Sequence, residues 1–361
     1  MTGKVVAILG ATGVVGTQMM RVLEERDFPV RELVCLASAR SVGKELAFRG
    51  ERVVVREARP DAFEGVDIVL GAAGDAQAQE LLPEAVRRGA VCVDNSHAFR
   101  LRKDVPLVIP EINAADIANH PAGIIANPNC ATIIGLMPVW PLHLRAQLRR
   151  LVVSTYQAAS GAGKPGLDEL EREVRAHVDG HEVGATDPFA YPLAFNLIPQ
   201  IGGFDEEGYS SEEMKLQNEG RKIMHLPELR VSCTCVRVPI VRSHSESITM
   251  EFERPISPDE ARQILSEAAG VKLVDDPAKL RYPMPLEASG QDLVFVGRIR
   301  RDLSAPEGAS ALVLFCAGDP QGCRHECRPD SGAPAIGWYR EVQGALGAQG
   351  GTVRATGSPG A

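Results

Sequence analysis

The chain opens on an apolar stretch, Lys4 to Leu9. Shorter ones recur at Leu33 to Leu36, Val66 to Leu70, Val91 to Val93, Leu107 to Ile109 and in a run ending at Ile125. Runs of this length read as buried strands. Between them Thr17 to Glu25, Ala76 to Arg88 and Ala131 to Leu136 have helical spacing. Strands alternating with helices predict an α/β fold whose N-terminal domain is a parallel, doubly wound, Rossmann-type sheet. The rhythm then changes. Strands are predicted at Leu151 to Tyr156, Val231 to Val241, Ser247 to Phe252, Val271 to Val274 and Leu293 to Ile299, with helices at Ser210 to His225 and Pro258 to Ala268. Six or so strands with two helices imply a second, α+β domain. Its length of 361 residues, too great for one ordinary core, agrees with two domains, divided at 127/128.

Composition narrows the partners. Charged residues are 24% of the chain and the net charge is −8, which argues against nucleic acid or an anionic membrane as partner. No apolar run approaches a membrane span. The first strand begins too early for a signal peptide, and eight cysteines in so long a chain form no disulfide scaffold, so the expected location is a reducing cytoplasm.

Candidate chemistry sits at strand ends. Gly10-Ala11-Thr12-Gly13-Val14-Val15-Gly16 joins the first strand to the first helix, the context a dinucleotide fingerprint needs, though with GxxGxxG spacing. An NAD site usually has an acid after the second strand; here Ala37-Ser38-Ala39-Arg40-Ser41 has none. Arg40 and Ser41 suit a 2′-phosphate, which favours NADP; the plain alternative is a solvated loop arginine. Arg100 follows another strand and offers a planar fork to an anion. His97 beside it reads as a loop histidine. In Asn127-Pro128-Asn129-Cys130-Ala131-Thr132 a cysteine stands at a helix start, where backbone N–H groups favour the thiolate; a buried thiol fits as well.

In the second half, Gln157 leads into Ser160-Gly161-Ala162-Gly163-Lys164, which lacks P-loop spacing and has Pro165 where Ser or Thr belongs. Glu219 and Lys222 share a helix face, and the plain reading is a surface ion pair. Arg237 interrupts an apolar strand and must meet solvent, a partner or a ligand. His244 lies seven residues on, close enough to line one cleft with it. Cys233 and Cys235 read as core thiols, because no second ligand pair has zinc-site spacing.

Together the stretches GATGVVG, SARS, SHAFR, NPNCATI, YQAASGAG, LQNEGRKI, RVPIVRSHSES and VGRIRRD, in this order over about residues 3 to 318, make the sequence resemble the aspartate-β-semialdehyde dehydrogenase family. The resemblance implies a reversible, NADP-dependent conversion of aspartate 4-semialdehyde and phosphate to 4-phospho-aspartate, serving lysine, methionine and threonine biosynthesis. It implies Cys130 as the acyl-thioester nucleophile, His244 as acid/base and Gln157 on the substrate carbonyl side. Arg237 would bind the substrate carboxylate and Glu219 its ammonium. Arg100, Lys222 and Asn129 would hold phosphate; Gly10 to Gly16, Arg40, Ser41, Ser160 and Gly161 would hold NADP. No metal is implied. A homodimer built through the second domain is implied, with 311–319 as a strand returning to the nucleotide domain. N-acetyl-glutamyl-phosphate reductases usually carry Gly before the cysteine and Tyr after it, where this chain has Asn129 and Ala131. A malonyl-CoA reductase of the same family, or a catalytically impaired relative that binds nucleotide, would keep most of these residues.

One departure stands out. The family continues with GDN-L-RKGAA and a helix whose Asn contacts NADP. After Gly318-Asp319 this chain reads Pro320-Gln321-Gly322-Cys323-Arg324-His325-Glu326-Cys327. A coding string for Pro320 to Pro334 exists that, read one base later, spells RKGAATNAVQIREL. A frameshift at this point predicts an unstructured tail over 320–361 and weakened NADP binding; the gene sequence decides it. Three close ligands, Cys323, His325 and Cys327, do not make a closed zinc site.

Overall fold

The computed structural model describes residues 3–319; the expectations for 320–361 lie outside them. The first sheet is built from β1 (Lys4–Leu9), β2 (Val30–Ala37), a hairpin of β3 (Glu45–Phe48) and β4 (Glu51–Val54) set beside it, β5 (Arg56–Glu57), β6 (Ile68–Gly71), β7 (Val91–Asp94) and β8 (Ile124–Ala126), with helices α1 (Val14–Glu25), α2 (Asp75–Arg87) and the single turn α3 (Pro110–Asn113) between them. Its order is β5-β2-β1-β6-β7-β8 and every pair is parallel. This is the doubly wound sheet the alternation predicts. Leu107 forms only an isolated bridge to Ala126 instead of opening a strand. The chain leaves β1 toward β2 and later returns to β6 on β1's other side, which puts the crevice for a ligand at the C-terminal ends of β1 and β6.

Then come α4 (Cys130–Ala146), β9 (Leu148–Gln157), α5 (Gly163–Val178), α6 (Ser211–Ile223), β10 (Arg230–Arg237), β11 (His244–Phe252), α7 (Pro258–Glu267), β12 (Val271–Leu273), the short α8 (Pro285–Ala288), β13 (Val294–Arg301) and β14 (Ser310–Gly318). The second sheet has order β10-β9-β11-β14-β13-β12. The segment expected to return to the nucleotide domain is instead β14, paired antiparallel with both β11 and β13 inside this sheet. Its apolar alternation suits a central strand of either sheet, so sequence pattern does not choose between them.

Helix α4 joins the two halves. Sequence spacing follows it only to Leu136, yet it runs on to Ala146 through Pro138 and Pro141. Proline costs a helix about 3 kcal/mol in isolation. Here Ile133, Ile134, Leu136, Met137, Val139 and Leu142 lie in one continuous apolar cluster with Leu9, Leu82 and Ile124 of the first half and Ile248, Met250 and Leu314 of the second. Burial on that scale outweighs local propensity.

In the second sheet, one face is covered and the other half-exposed. Val153, Thr155 and Gln157 of β9, Cys233, Cys235 and Arg237 of β10, and His244, Glu246 and Ile248 of β11 are all buried. The two cysteines are core thiols, with sulfurs 3.7 Å apart. Glu246 lies fully inside this face, and neither carboxylate oxygen has a hydrogen-bond partner among the described residues. A Cβ on Gly135 of α4 would sit 2.6 Å from Oε2. Burial, then the nearby Cys235 and Glu212, push this carboxyl well above the ordinary glutamate range. The folded chain therefore keeps a proton that the unfolded chain releases above its ordinary value of 4.5. The stability this group contributes is complete below that value and is lost as pH rises. Glu246→Gln is expected to stabilise the fold at pH 8 by at least about 1 kcal/mol, with the gain vanishing toward pH 4.5. Urea unfolding at both pH values checks this, and an equal loss at both would contradict it.

Candidate active site

The site forms where the N-terminus of α4 meets one end of the second sheet. Cys130 is the first residue of α4, half-buried, and Asn129 caps the helix. Asn129 Oδ1 accepts from the N–H of Ala131 at 2.9 Å and of Thr132 at 3.3 Å. Its own N–H donates to Glu219 Oε2 at 2.7 Å, and its Nδ2 donates to Glu212 Oε1 at 3.0 Å. The capped, buried terminus presents the positive end of the helix dipole to the Cys130 sulfur, which favours the thiolate.

Three strand ends supply the facing side chains. β9 and β10 run parallel with Gln157 opposite Arg237, each the last residue of its strand. β11 runs antiparallel to β9 and begins at His244, so it starts where they end. The alternation that buries Cys235 and Thr155 therefore puts Arg237, Gln157 and His244 on the same covered face. Arg237 Nη1 donates to the Ala158 carbonyl at 2.7 Å, and burial lowers its pKa from the usual value against the opposing pull of Glu212 and Cys130. The Ala158 N–H donates to His244 Nδ1 at 3.0 Å. A neutral ring held this way carries its proton on Nε2. Gly161 closes over both: a Cβ there would lie 2.5 Å from Arg237 Nη1 and 3.1 Å from His244 Nε2.

Beside Asn129, Arg100 is buried and donates from Nε to the Ser96 carbonyl, from Nη2 to the Asn95 carbonyl and from Nη1 to Glu219 Oε1, the last at 3.1 Å. The expected surface pair of Glu219 with Lys222 does not form. Glu219 is buried and turns to Arg100 and Asn129. Lys222 Nζ donates to the carbonyls of Arg100, Arg102 and Val105 at 2.6–2.7 Å, so it braces the loop that carries Arg100. Burial lowers its pKa, opposed by Asp104, Asp116 and Glu219. His97 is an exposed loop histidine paired with Asp75 at 3.0 Å.

The dinucleotide residues gather in the crevice at β1. Gly10 has φ +91°, and a Cβ there would strike the backbone of Ala72 beyond β6. Gly13 precedes α1, whose first residues, Val14 and Val15, have no side-chain cap; an uncapped N-terminus leaves N–H groups for a pyrophosphate. Thr12 Oγ1 lies 3.5 Å from Ser41 Oγ, which brings the turn bearing exposed Arg40 against the glycine turn. Ser160 Oγ is buried without a hydrogen-bond partner among the described residues. These features fit a dinucleotide. Among the described residues no cluster of three or more His, Cys, Asp or Glu is arranged to hold a metal ion; Cys323, His325 and Cys327 lie outside them.

Comparison with known proteins agrees with this layout. The family model described as "Semialdehyde dehydrogenase, NAD binding domain" matches residues 5–120, and "Semialdehyde dehydrogenase, dimerisation domain" matches 139–320. The aspartate-semialdehyde dehydrogenase of Aquifex aeolicus is 47% identical over 311 residues, 86% of this chain and 92% of its own. That of Bacillus subtilis is 47% identical over 316 residues, 86% of this chain and 91% of its own. The chain belongs to the aspartate-semialdehyde dehydrogenase family. The crystal structure of aspartate semialdehyde dehydrogenase II from Vibrio cholerae, complexed with ASA, superposes with TM-score 0.87 at 37% identity, covering 96% of this chain and 99% of that one. As in its family, this chain joins an NAD-binding domain to a dimerisation domain, and it is an oxidoreductase.

Sequence reasoning passed over Glu212, which touches two site amides. Its only signal was an acid in the first turn of a helix, where acids are common for helix stability alone. Gly161→Ala is expected to displace Arg237 and His244 and to cut dehydrogenase turnover about 10²-fold, with the melting temperature nearly unchanged; unchanged turnover would show that the loop accommodates a methyl without moving either group.

Proposed function

We propose that the chain is an NADP-dependent, phosphorylating aspartate-semialdehyde dehydrogenase that works through a Cys130 thioester. The observation that carries this is the convergence of Gln157, Arg237 and His244 on the covered end of one sheet, facing a cysteine at a capped helix N-terminus.

The Cys130 thiolate attacks the aldehyde carbon and the carbonyl oxygen takes the electron pair. A tetrahedral adduct is required because an aldehyde carbon yields its hydride only once a nucleophile has added. The adduct oxygen falls to His244. With Nδ1 accepting from Ala158, the neutral ring holds its proton on Nε2 and donates it as a hydrogen bond to that oxygen, steadying the negative charge. Gln157 orients the carbonyl side. Arg237 binds the substrate carboxylate with its guanidinium fork, and Glu219 faces the ammonium. Gly10, Thr12, Gly13, Val14, Val15, Gly16, Arg40, Ser41, Ser160 and Gly161 would hold NADP, which would supply the hydride acceptor. Phosphate, held by Arg100 and Asn129 with the charge of Lys222 behind them, attacks the thioester carbonyl. The C–S bond breaks, and the thiolate leaves as the acyl phosphate forms. In the cell the flow is reductive, toward lysine, methionine and threonine.

The outer face of the second sheet, where Tyr156, Ser247 and Phe315 are only partly covered, is the surface on which a second copy pairs. No helix among the described residues is long and apolar enough to cross a membrane.

The direct test follows NADPH formation from aspartate semialdehyde with and without phosphate. Cys130→Ala should lower turnover by a factor of about 10⁴ or more and leave the NADP-induced thermal shift intact; surviving turnover would remove Cys130 as nucleophile. Arg40→Ala should raise the KM for NADP about 10- to 100-fold, as loss of a charge-assisted contact does, and leave that for NAD nearly unchanged. Equal effects on both would mean that Arg40 does not read the 2′-phosphate.

A further inference from the structure

We propose that Ser289 is a positioning residue for His244, acting through the hydroxyl of Ser243, a role that rests on the reaction proposed above. Ser243 is buried and has φ +71°. That backbone conformation is strained for a residue with a Cβ and open to glycine. It persists only where the surroundings fix it. Ser243 Oγ lies 2.8 Å from Ser289 Oγ, and Ser289 Oγ donates to the Pro285 carbonyl at 2.7 Å. A hydroxyl has one hydrogen. Ser289 gives its own to Pro285, so Ser243 donates to Ser289. The relay runs from the strained turn to the end of α8. One residue on, the Gly290 N–H donates to Asp319 Oδ2 at 2.7 Å, and Arg242 Nε lies 2.6 Å from the same oxygen. The 289–290 turn therefore holds both residues that lead into β11, Ser243 directly and Arg242 through Asp319.

Those two residues decide where His244 enters its strand. β10 ends at Arg237 and β11 starts at His244, on the other side of β9. The chain between them crosses the end of β9, where the carbonyls of Ile240 and Val241 accept from the N–H groups of Ala159 and Ser160 at 2.8 and 3.2 Å. These bonds fix the middle of the crossing, and Ser243 fixes its exit. The His244 ring is held at Nδ1 by the Ala158 N–H. With Nδ1 as pivot, a rotation about the Ser243 backbone moves the His244 Cα and swings Nε2, the atom that faces the adduct oxygen in the proposed reaction. A hydroxyl on a separate element thus sets the aim of the imidazole.

The test removes the middle of the relay and leaves the active-site loops unaltered. Ser289→Ala is expected to lower kcat about 5- to 30-fold, as misplacement of a reacting group does. The KM for NADP and the rate of Cys130 alkylation by iodoacetamide should change less than about 2-fold, because α1 and α4 set them independently. Ser289→Thr keeps the hydroxyl and should restore kcat. In a His244→Ala background, Ser289→Ala should cost less than about 2-fold in kcat, since the group it positions is gone. In protein labelled with ¹³C at the histidine Cε1 atoms, Ser289→Ala should shift or broaden the His244 resonance, assigned by its loss in His244→Ala, and Ser289→Thr should return it. Ser243→Gly allows the left-handed turn without the hydroxyl and serves in the same cycle if Ser289→Ala does not fold. No loss of kcat, an equal loss in both backgrounds, or an unmoved His244 resonance overturns the proposal. If the unmodified chain forms no NADPH from aspartate semialdehyde, or His244→Ala turns over normally, the proposed chemistry of His244 fails by itself. The resonance needs no substrate and still decides whether Ser289 positions the ring.

Discussion

A helix whose first turns are buried on every side must satisfy its leading N–H groups inside the protein, and α4, buried throughout from Ala131 to Val139, is such a helix. Water cannot do it, so Asn129 does. Because Asn129 is itself buried, its own N–H and amide hydrogens need acceptors, which Glu219 and Glu212 provide. Those two acids in turn need countercharge, supplied by Arg100 and Lys215. The polar centre of the molecule is the closure of that chain of obligations, and Cys130 stands at its head. The arrangement that stabilises the helix also leaves its positive end at Cys130.

The second sheet adds direction. Alternation sorts its residues into a face that packs on α4 and α6 and a face left partly open. Where apolar positions run out at the strand ends, the covered face continues as Gln157, Arg237 and His244. Their burial costs solvation, offset by contacts with Ala158 and Glu212. The same pattern carried further into the sheet leaves Glu246 without a hydrogen-bond partner among the described residues, a cost to stability borne inside the core.

Much of this was legible in the sequence. The alternation of runs announced the parallel sheet, and the glycine turn and NPNCAT fell at the strand ends where doubly wound sheets bind ligands. Boundaries failed where tertiary burial overrode local preference, as in α4 beyond Pro138. The placement of β14 failed because apolar alternation records that a strand is central without saying in which sheet. At Glu219 the error was one of range. Helical spacing names the neighbour three residues away, whereas Arg100, 119 residues distant in sequence, is the partner. Arg237 was recognised as out of place in its strand, and the register, which sequence does not carry, sets it opposite Gln157.

The register of β14 has one more implication. Gly318 pairs with His244 across the sheet, and Asp319, fully buried, takes the Gly290 N–H and the Arg242 guanidinium at 2.7 and 2.6 Å. The point at which this sequence parts from its family pattern is therefore one peptide bond beyond a buried residue clamped by Gly290 and Arg242. A terminus is ordinarily where a chain tolerates change most freely. Here the change begins two residues beyond the strand partner of His244.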